Sequence, residues 1–518
     1  MKKLVLALLL ASTPALADLP AGFDARVEQL RVKAGAPGLA IAVVEHGKVV
    51  LAKGYGVRKL GSPAKVDADT LFMTGSTGKA MTVAALATLV DAGKLSWDDK
   101  VVDHLPGFLM YDSWVTREMT VRDLLVHRSG LGLGAGDLLF VPRGKLSRAE
   151  VVRRLRYIKP ATSFRNAYAY DNILYTVAGA LIEAVSGQRY EDYMRDQVFR
   201  PGGMTTATGD PAVRLTTADR ATPHARVGGT VRGLAAQQVL DERDQLGQSS
   251  APAGLLALSA NDLAKWIQIQ LAHGKLPKGG QLFSEAAAAE MWKPVTIEPI
   301  SAMPPELTGL QPSFQNYALG WEVRDYHGAR IVWHSGGVFG FTTIVALIPE
   351  KDVGFAITLN CEDSIIRMGM MWELIDHYLG RPQQDWPAKY DSYLQRRFAA
   401  AAASVTQAAA TPAKVGPALP PARYAGTYTD PWYGDVVVGS DAKGLTINFT
   451  TTPKMIGRLE HYQYDSFVAR FDDKGIEPAY VTFALDAQGK VERVALKPVS
   501  PTADFSFDYQ DLDLRPSK

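Results

Sequence analysis

Three small groups of side chains in this 518-residue chain could do covalent chemistry. The first is Ser76-Thr77-Gly78-Lys79. A serine hydroxyl attacks a carbonyl only when a base takes its proton. One helical turn sets a lysine beside a serine three residues earlier. The second is Tyr170-Asp171-Asn172, a Tyr-x-Asn spacing that occurs once in the chain. A phenol can pass a proton, and an amide both donates and accepts hydrogen bonds. The third is His334-Ser335-Gly336-Gly337, set among strand-like runs. These residue types point to nucleophilic catalysis through a serine ester. No metal or cofactor is expected, since no metal-ligand cluster or strand–loop–helix phosphate motif is present.

Ser-x-x-Lys is a weak pattern by itself, and it occurs three times here. Ser62 to Lys65 lies among Gly and Pro, and Ser440 to Lys443 precedes Gly444, so both read as surface turns. Ser76 differs in its surroundings. The apolar run Leu71-Phe72-Met73 leads to it, and an apolar helix follows from Ala80 to Val90 with a stop at Gly93. Tyr170 and Asn172 sit in a loop that opens a long helix ending at Gly187. Around His334 the sequence reads as strands at 321–323, 330–333, 343–348 and 353–359. In that reading His334 to Gly337 interrupt the sheet.

Other candidates have plainer roles. His46 lies in the turn of a hairpin, Glu45-His46-Gly47-Lys48. His127 is expected at a helix C-terminus, where an imidazolium would complement the dipole. Ser259-Ala260-Asn261 imitates a catalytic Ser-x-Asn but reads as a helix N-cap. Cys361, the only cysteine, follows an apolar strand and reads as a small core residue, so no intrachain disulfide exists.

Apolar residues make up 47% of the chain and charged ones 21%, with a net charge of +2. That is ordinary globular composition, and it argues against a nucleic-acid partner. The chain opens MKKLVLALLLASTPALAD. Two lysines, a short apolar run and Ala15-Leu16-Ala17 read as a cleavable export signal over 1–17. The run is too short to span a bilayer. A bacterial periplasmic or secreted protein with no membrane span in the mature chain is therefore expected. Residues 18–395 read as one domain and 396–422, rich in Ala and Pro, as a linker. Short β-runs over 423–518 read as a small all-β barrel, separable from the first domain.

In this order the three motifs resemble the class C β-lactamase and D-peptidase type of penicillin-recognising serine hydrolase. The resemblance covers roughly 24–390 and extends to strings such as PGLAIAVV, TVRDLLVHRSGL and GLLALSANDLAKW. It implies an α+β fold, a β-lactamase/transpeptidase-like domain with an antiparallel sheet flanked by helices and an all-helical region. The barrel resembles the lipocalin-like tail of some members. Ser76 would form an acyl-enzyme, and Lys79 would lower the pKa of Tyr170, which would move protons. Whether Lys79 or Tyr170 is the base stays open. Asn172 would hold Lys79 and the substrate amide, His334, Ser335 and Gly336 would bind or support the substrate, and the amides of Ser76 and Gly337 would form the oxyanion hole.

One departure matters. β-Lactamases carry Lys-Thr-Gly where this chain has His334-Ser335-Gly336. A histidine is mostly neutral at pH 7, so it lacks the permanent charge that holds a substrate carboxylate. The resemblance therefore implies an esterase or D-aminopeptidase-like hydrolase acting on a small-molecule or peptide substrate. A true β-lactamase or D-Ala-D-Ala carboxypeptidase is the alternative. A low-turnover penicillin-recognising sensor is the second.

Overall fold

The computed structural model describes residues 19–243, 246–410 and 412–517. The export signal expected over 1–17 lies outside them. Among the described residues, one eight-stranded antiparallel sheet organises the first domain. Its strands are β1 (Gly38–Glu45), β2 (Lys48–Gly56), β3 (Thr296–Ile297), β4 (Gln315–Tyr317), β5 (Glu322–Tyr326), β6 (Ala329–Val338), β7 (Phe341–Ile348) and β8 (Val353–Leu359). They lie in the order β2-β1-β8-β7-β6-β5-β4-β3.

β1, β7 and β8 are buried along their whole length. Their continuous apolar runs follow from cover on both faces. Along β1, Ala40, Ala42 and Val44 face one core while Leu39, Ile41 and Val43 face another. Helices Phe23–Ala34 and Ile365–Tyr378 pack in the second core. The first core holds the Ser76 helix, Lys79–Asp91, and the helix Ile173–Ser186 that follows Asn172. The expected hairpin turn is present, with His46 at φ 48° and Gly47 at φ 71°, as a twisted two-residue turn requires. Ser259 caps the helix Ala260–Leu271 through a reciprocal box with Asp262.

Two expectations fail. His334 to Gly337 do not interrupt the sheet, because β6 runs straight through them to Val338. Gly336 there serves a close backbone approach rather than a turn. The Ala-rich half of the supposed linker is helical, forming the end of a 25-residue helix, Trp386–Ala410. Alanine is the best helix former, so a run of it marks an element rather than a tether.

The C-terminal region is an eight-stranded, nearly closed antiparallel barrel. Its last strand pairs with its first, Thr429 opposite Arg515, and Val494 bridges Leu514 across the remaining gap. Strands such as Ala479–Leu485 alternate buried and exposed residues, as a filled small barrel demands. The barrel does not hang free. Its apolar residues join the first core in one continuous cluster. Lys145 donates its amide to Thr451 O, Thr452 Oγ1 donates to Leu138 O, and the Arg154 guanidinium donates to the carbonyls of Trp432 and Tyr433.

Candidate active site

Ser76 lies in a 3-10 turn, Gly75–Gly78, that leads directly into the Lys79 helix. β6 presses on this turn. A Cβ on Gly336 would stand 2.0 Å from Thr74 O and 3.0 Å from the Ser76 amide. Gly75 has φ 55°, and a Cβ there would meet the Gly337 amide nitrogen at 2.6 Å. Only glycines allow the two backbones to lie this close. The amides expected to form an oxyanion hole are thus on adjoining segments.

Lys79 is fully buried. Its Nζ lies 2.9 Å from Ser76 Oγ, 2.7 Å from Asn172 Oδ1 and 2.8 Å from Ala253 O. It also sits over the Tyr170 ring, 4.8 Å from the centroid, and over Tyr175 at 5.1 Å. Burial lowers its pKa to about 7, against the opposing pull of Asp137 and Asp171. A neutral amine fits its three partners. The ammonium donates to all three, and once the proton leaves, the amine keeps Asn172 and Ala253 as acceptors and turns its lone pair to the Ser76 hydroxyl.

Burial raises the Tyr170 pKa well above the ordinary 10, with Ser76 pulling the other way. The expected phenolate is therefore not favoured. Lys79 lies against the ring, and it loses its own charge near neutrality. Asn172 does hold Lys79. One of its two Nδ2 hydrogens goes to Asp137 Oδ2 at 2.8 Å, so one remains for a substrate amide.

His334 departs from the substrate-binding part of its expected role. It is buried, and Nδ1 lies 2.6 Å from Ser335 O, which can only accept, so the proton is on Nδ1. Nε2 then accepts from the Tyr317 hydroxyl at 2.8 Å. Burial lowers its pKa to about 3. It supports Tyr317 and offers no cation to a substrate. Ser335 is half-buried beside it, and the Gly336 carbonyl accepts from Arg367 at 3.3 Å.

His127 is also not the expected helix-end imidazolium. It follows a 3-10 turn, Arg122–Leu125, with φ 55°. Its ring is buried 4.1 Å from Tyr170 and 4.4 Å from Tyr317 between centroids. Nδ1 accepts from the Asp171 amide at 3.1 Å, and burial holds its pKa below the ordinary value. It is a neutral spacer that fixes the Tyr170 ring. Sequence reasoning missed Asp137 and Tyr317 altogether, since neither stands in a recognisable spacing with Ser76. Cavities of about 750 and 490 Å³ lie elsewhere, and none of Ser76, Lys79 or Tyr170 lines them.

A half-buried serine against a buried lysine, beside a Tyr-x-Asn loop on an antiparallel sheet with helical cover, defines a serine hydrolase of the β-lactamase and penicillin-binding type. Residues 23–379 match the beta-lactamase family, and the chain belongs to it. Residues 410–516 match a domain described as of unknown function, DUF3471. The chain is 31% identical to an unguisins hydrolase from Aspergillus campestris, over 78% of this chain and 74% of that protein. It is 30% identical to a penicillin-binding protein 4 from Amycolatopsis lactamdurans, over 66% and 85%. The octameric penicillin-binding protein homologue from Pyrococcus abyssi shares the fold, with TM-score 0.57 at 21% identity over 92% of this chain and 98% of that one. Among the described residues no helix is long and apolar enough to cross a membrane.

Proposed function

We propose that this hydrolase cleaves ester or amide/peptide bonds through an acyl-enzyme on Ser76. The observation that carries the reading is the 2.9 Å contact between Ser76 Oγ and a lysine whose burial makes it a base near neutral pH. Lys79 takes the Ser76 proton as Oγ attacks the carbonyl carbon. The amides of Ser76 and Gly337 receive the developing oxyanion. Tyr170, which keeps its proton, gives it to the leaving alcohol or amine, and the proton on Lys79 replaces it. Water then attacks the ester, losing its proton to the same base, which returns it to Ser76 Oγ as the acyl–Oγ bond breaks and the acid leaves.

The neutral His334 removes one source of charge for a substrate carboxylate, which favours ester or aminopeptidase-like substrates over β-lactams. The unguisins hydrolase among the relatives supports the hydrolase reading. The test has two parts. Fluorophosphonate labelling, mapped by mass spectrometry, should fall on Ser76. A panel of p-nitrophenyl esters, D-amino-acid p-nitroanilides and a chromogenic cephalosporin should show turnover of the first two classes above the third. Label on another serine, or fastest turnover of the cephalosporin, would overturn it. Export rests on the 1–17 signal. Cell fractionation with N-terminal sequencing should find the mature chain outside the cytoplasm, beginning at Asp18.

A further inference from the structure

The barrel reaches into the catalytic centre through the loop at 504–508. Asp508 is fully buried, and its carboxylate accepts from two backbone amides, Gly136 at 2.7 Å and Leu138 at 3.0 Å. These amides flank Asp137. Ser506 Oγ donates to Asp137 Oδ2 at 2.7 Å, the same oxygen that accepts from Asn172 Nδ2. Asn172 Oδ1 in turn accepts from Lys79. The chain of contacts thus runs Ser506–Asp137–Asn172–Lys79. Asp137 Oδ2 accepts from both Ser506 and Asn172, so the Asn172 NH2 faces Asp137 and its oxygen faces Lys79. Phe505 stands edge-on to Tyr170, with centroids 5.8 Å apart.

We infer that Ser506 and Asp508, on the barrel, are positioning residues for the catalytic lysine. Asp508 fixes the 134–138 backbone, Ser506 fixes the Asp137 carboxylate, and Asp137 fixes the amide that orients Lys79. The inference rests on the proposal that Lys79 activates Ser76. The charged and titratable groups facing this chain are Asp504, Asp508 and Lys79 around Asp137, and Asp171, Tyr170, Tyr175, His127 and His334 around Lys79.

The sign of the effect is fixed. Without the Ser506 hydroxyl, Asp137 holds its proton to higher pH, because it has lost a donor to its charged form. Less negative charge then faces Lys79, which sheds its proton at lower pH. The experiment is the rate of fluorophosphonate labelling of full-length protein across pH. Ser506→Ala should lower the plateau about tenfold, the scale of a hydrogen bond to a charged group. It should also move the acid-limb midpoint to lower pH, and Ser506→Thr should restore both. Asp137→Asn, which keeps the shape and removes the charge, should move the midpoint the same way.

An unchanged profile in Ser506→Ala would overturn the inference. So would a lower plateau with an unmoved midpoint that Ser506→Thr does not rescue, since that is the mark of a merely structural role. An unmoved midpoint in Asp137→Asn would overturn it as well. If wild-type Ser76 takes no label at all, the nucleophile assignment fails first, and the two failures are told apart.

Discussion

Burial sets the protonation of Lys79, Tyr170 and His334, and the pH profile should show it. Lys79 has its pKa lowered to about 7, so below that pH it carries a proton and cannot take another. The kcat/KM for a neutral ester should rise through about pH 7 and then level. Tyr170 keeps its proton to well above pH 10, so it adds no falling limb before then. A profile flat from about pH 5 to about pH 9 would exclude Lys79 as the base. Tyr170→Phe should cost about a hundredfold or more in kcat, since the ring stays and only the proton donor goes. His334 titrates at about 3, so the ratio of rates on an acidic and a neutral substrate should stay constant between about pH 8 and about pH 5. A ratio that rises as pH falls would mean that His334 does gain a charge. Ser76, Lys79, Tyr170 and Asn172 were legible in sequence because short motifs and a single helical turn bring chemistry together locally. Asp137 and Ser506 were not, because they meet only through tertiary folding, 369 residues apart. His127 was read as structural, as it is, but for the wrong reason. Its local pattern spoke of a helix end, whereas the aromatic rings that bury it come from distant segments.

The element that places Ser76 is β6, and its glycines divide into two kinds. A Cβ on Gly336 would overlap Thr74 O at 2.0 Å, whereas one on Gly337 would meet nothing within 4 Å. Gly336→Ala must therefore push the strand off the Ser76 turn. It should lose about 1–3 kcal/mol of stability, the usual cost of overpacking, and most activity with it. Gly337→Ala should leave the melting temperature unchanged. Differential scanning calorimetry of the pair decides the matter. Equal melting temperatures would show that β6 does not clamp the turn. The sequence showed β-rich runs on both sides of this segment but not their continuity. A Gly-Gly pair carries the same local signal whether it turns the chain or lets two backbones touch. Composition likewise misread 399–410, because an alanine run looks like low complexity until its helix propensity is weighed.

At the scale of the whole molecule, the barrel was legible as a fold and illegible as a part of the site. Its turns and alternating strands are local features, so they stood out. Its docking depends on a loop whose residues, Phe505 to Asp508, look like any connection. The structure makes separability doubtful on physical grounds. Removing 423–518 would strip Asp508 from two backbone amides and Ser506 from Asp137. It would also open the shared apolar core and leave the Arg154 guanidinium without its two carbonyl partners. Buried polar groups left unpaired cost about 1–3 kcal/mol each, which is large against the stability of a domain. A chain ending at residue 410 should therefore melt well below the full-length protein. Whatever remains folded should label at Ser76 at least about tenfold more slowly, since the Asp137 loop that orients Asn172 is no longer fastened. The measurement is a thermal melt together with fluorophosphonate labelling of the two chains at the same pH. A truncated protein that melts and labels like the intact one would mean that the first domain holds Lys79 in place by itself, with the barrel only resting against it.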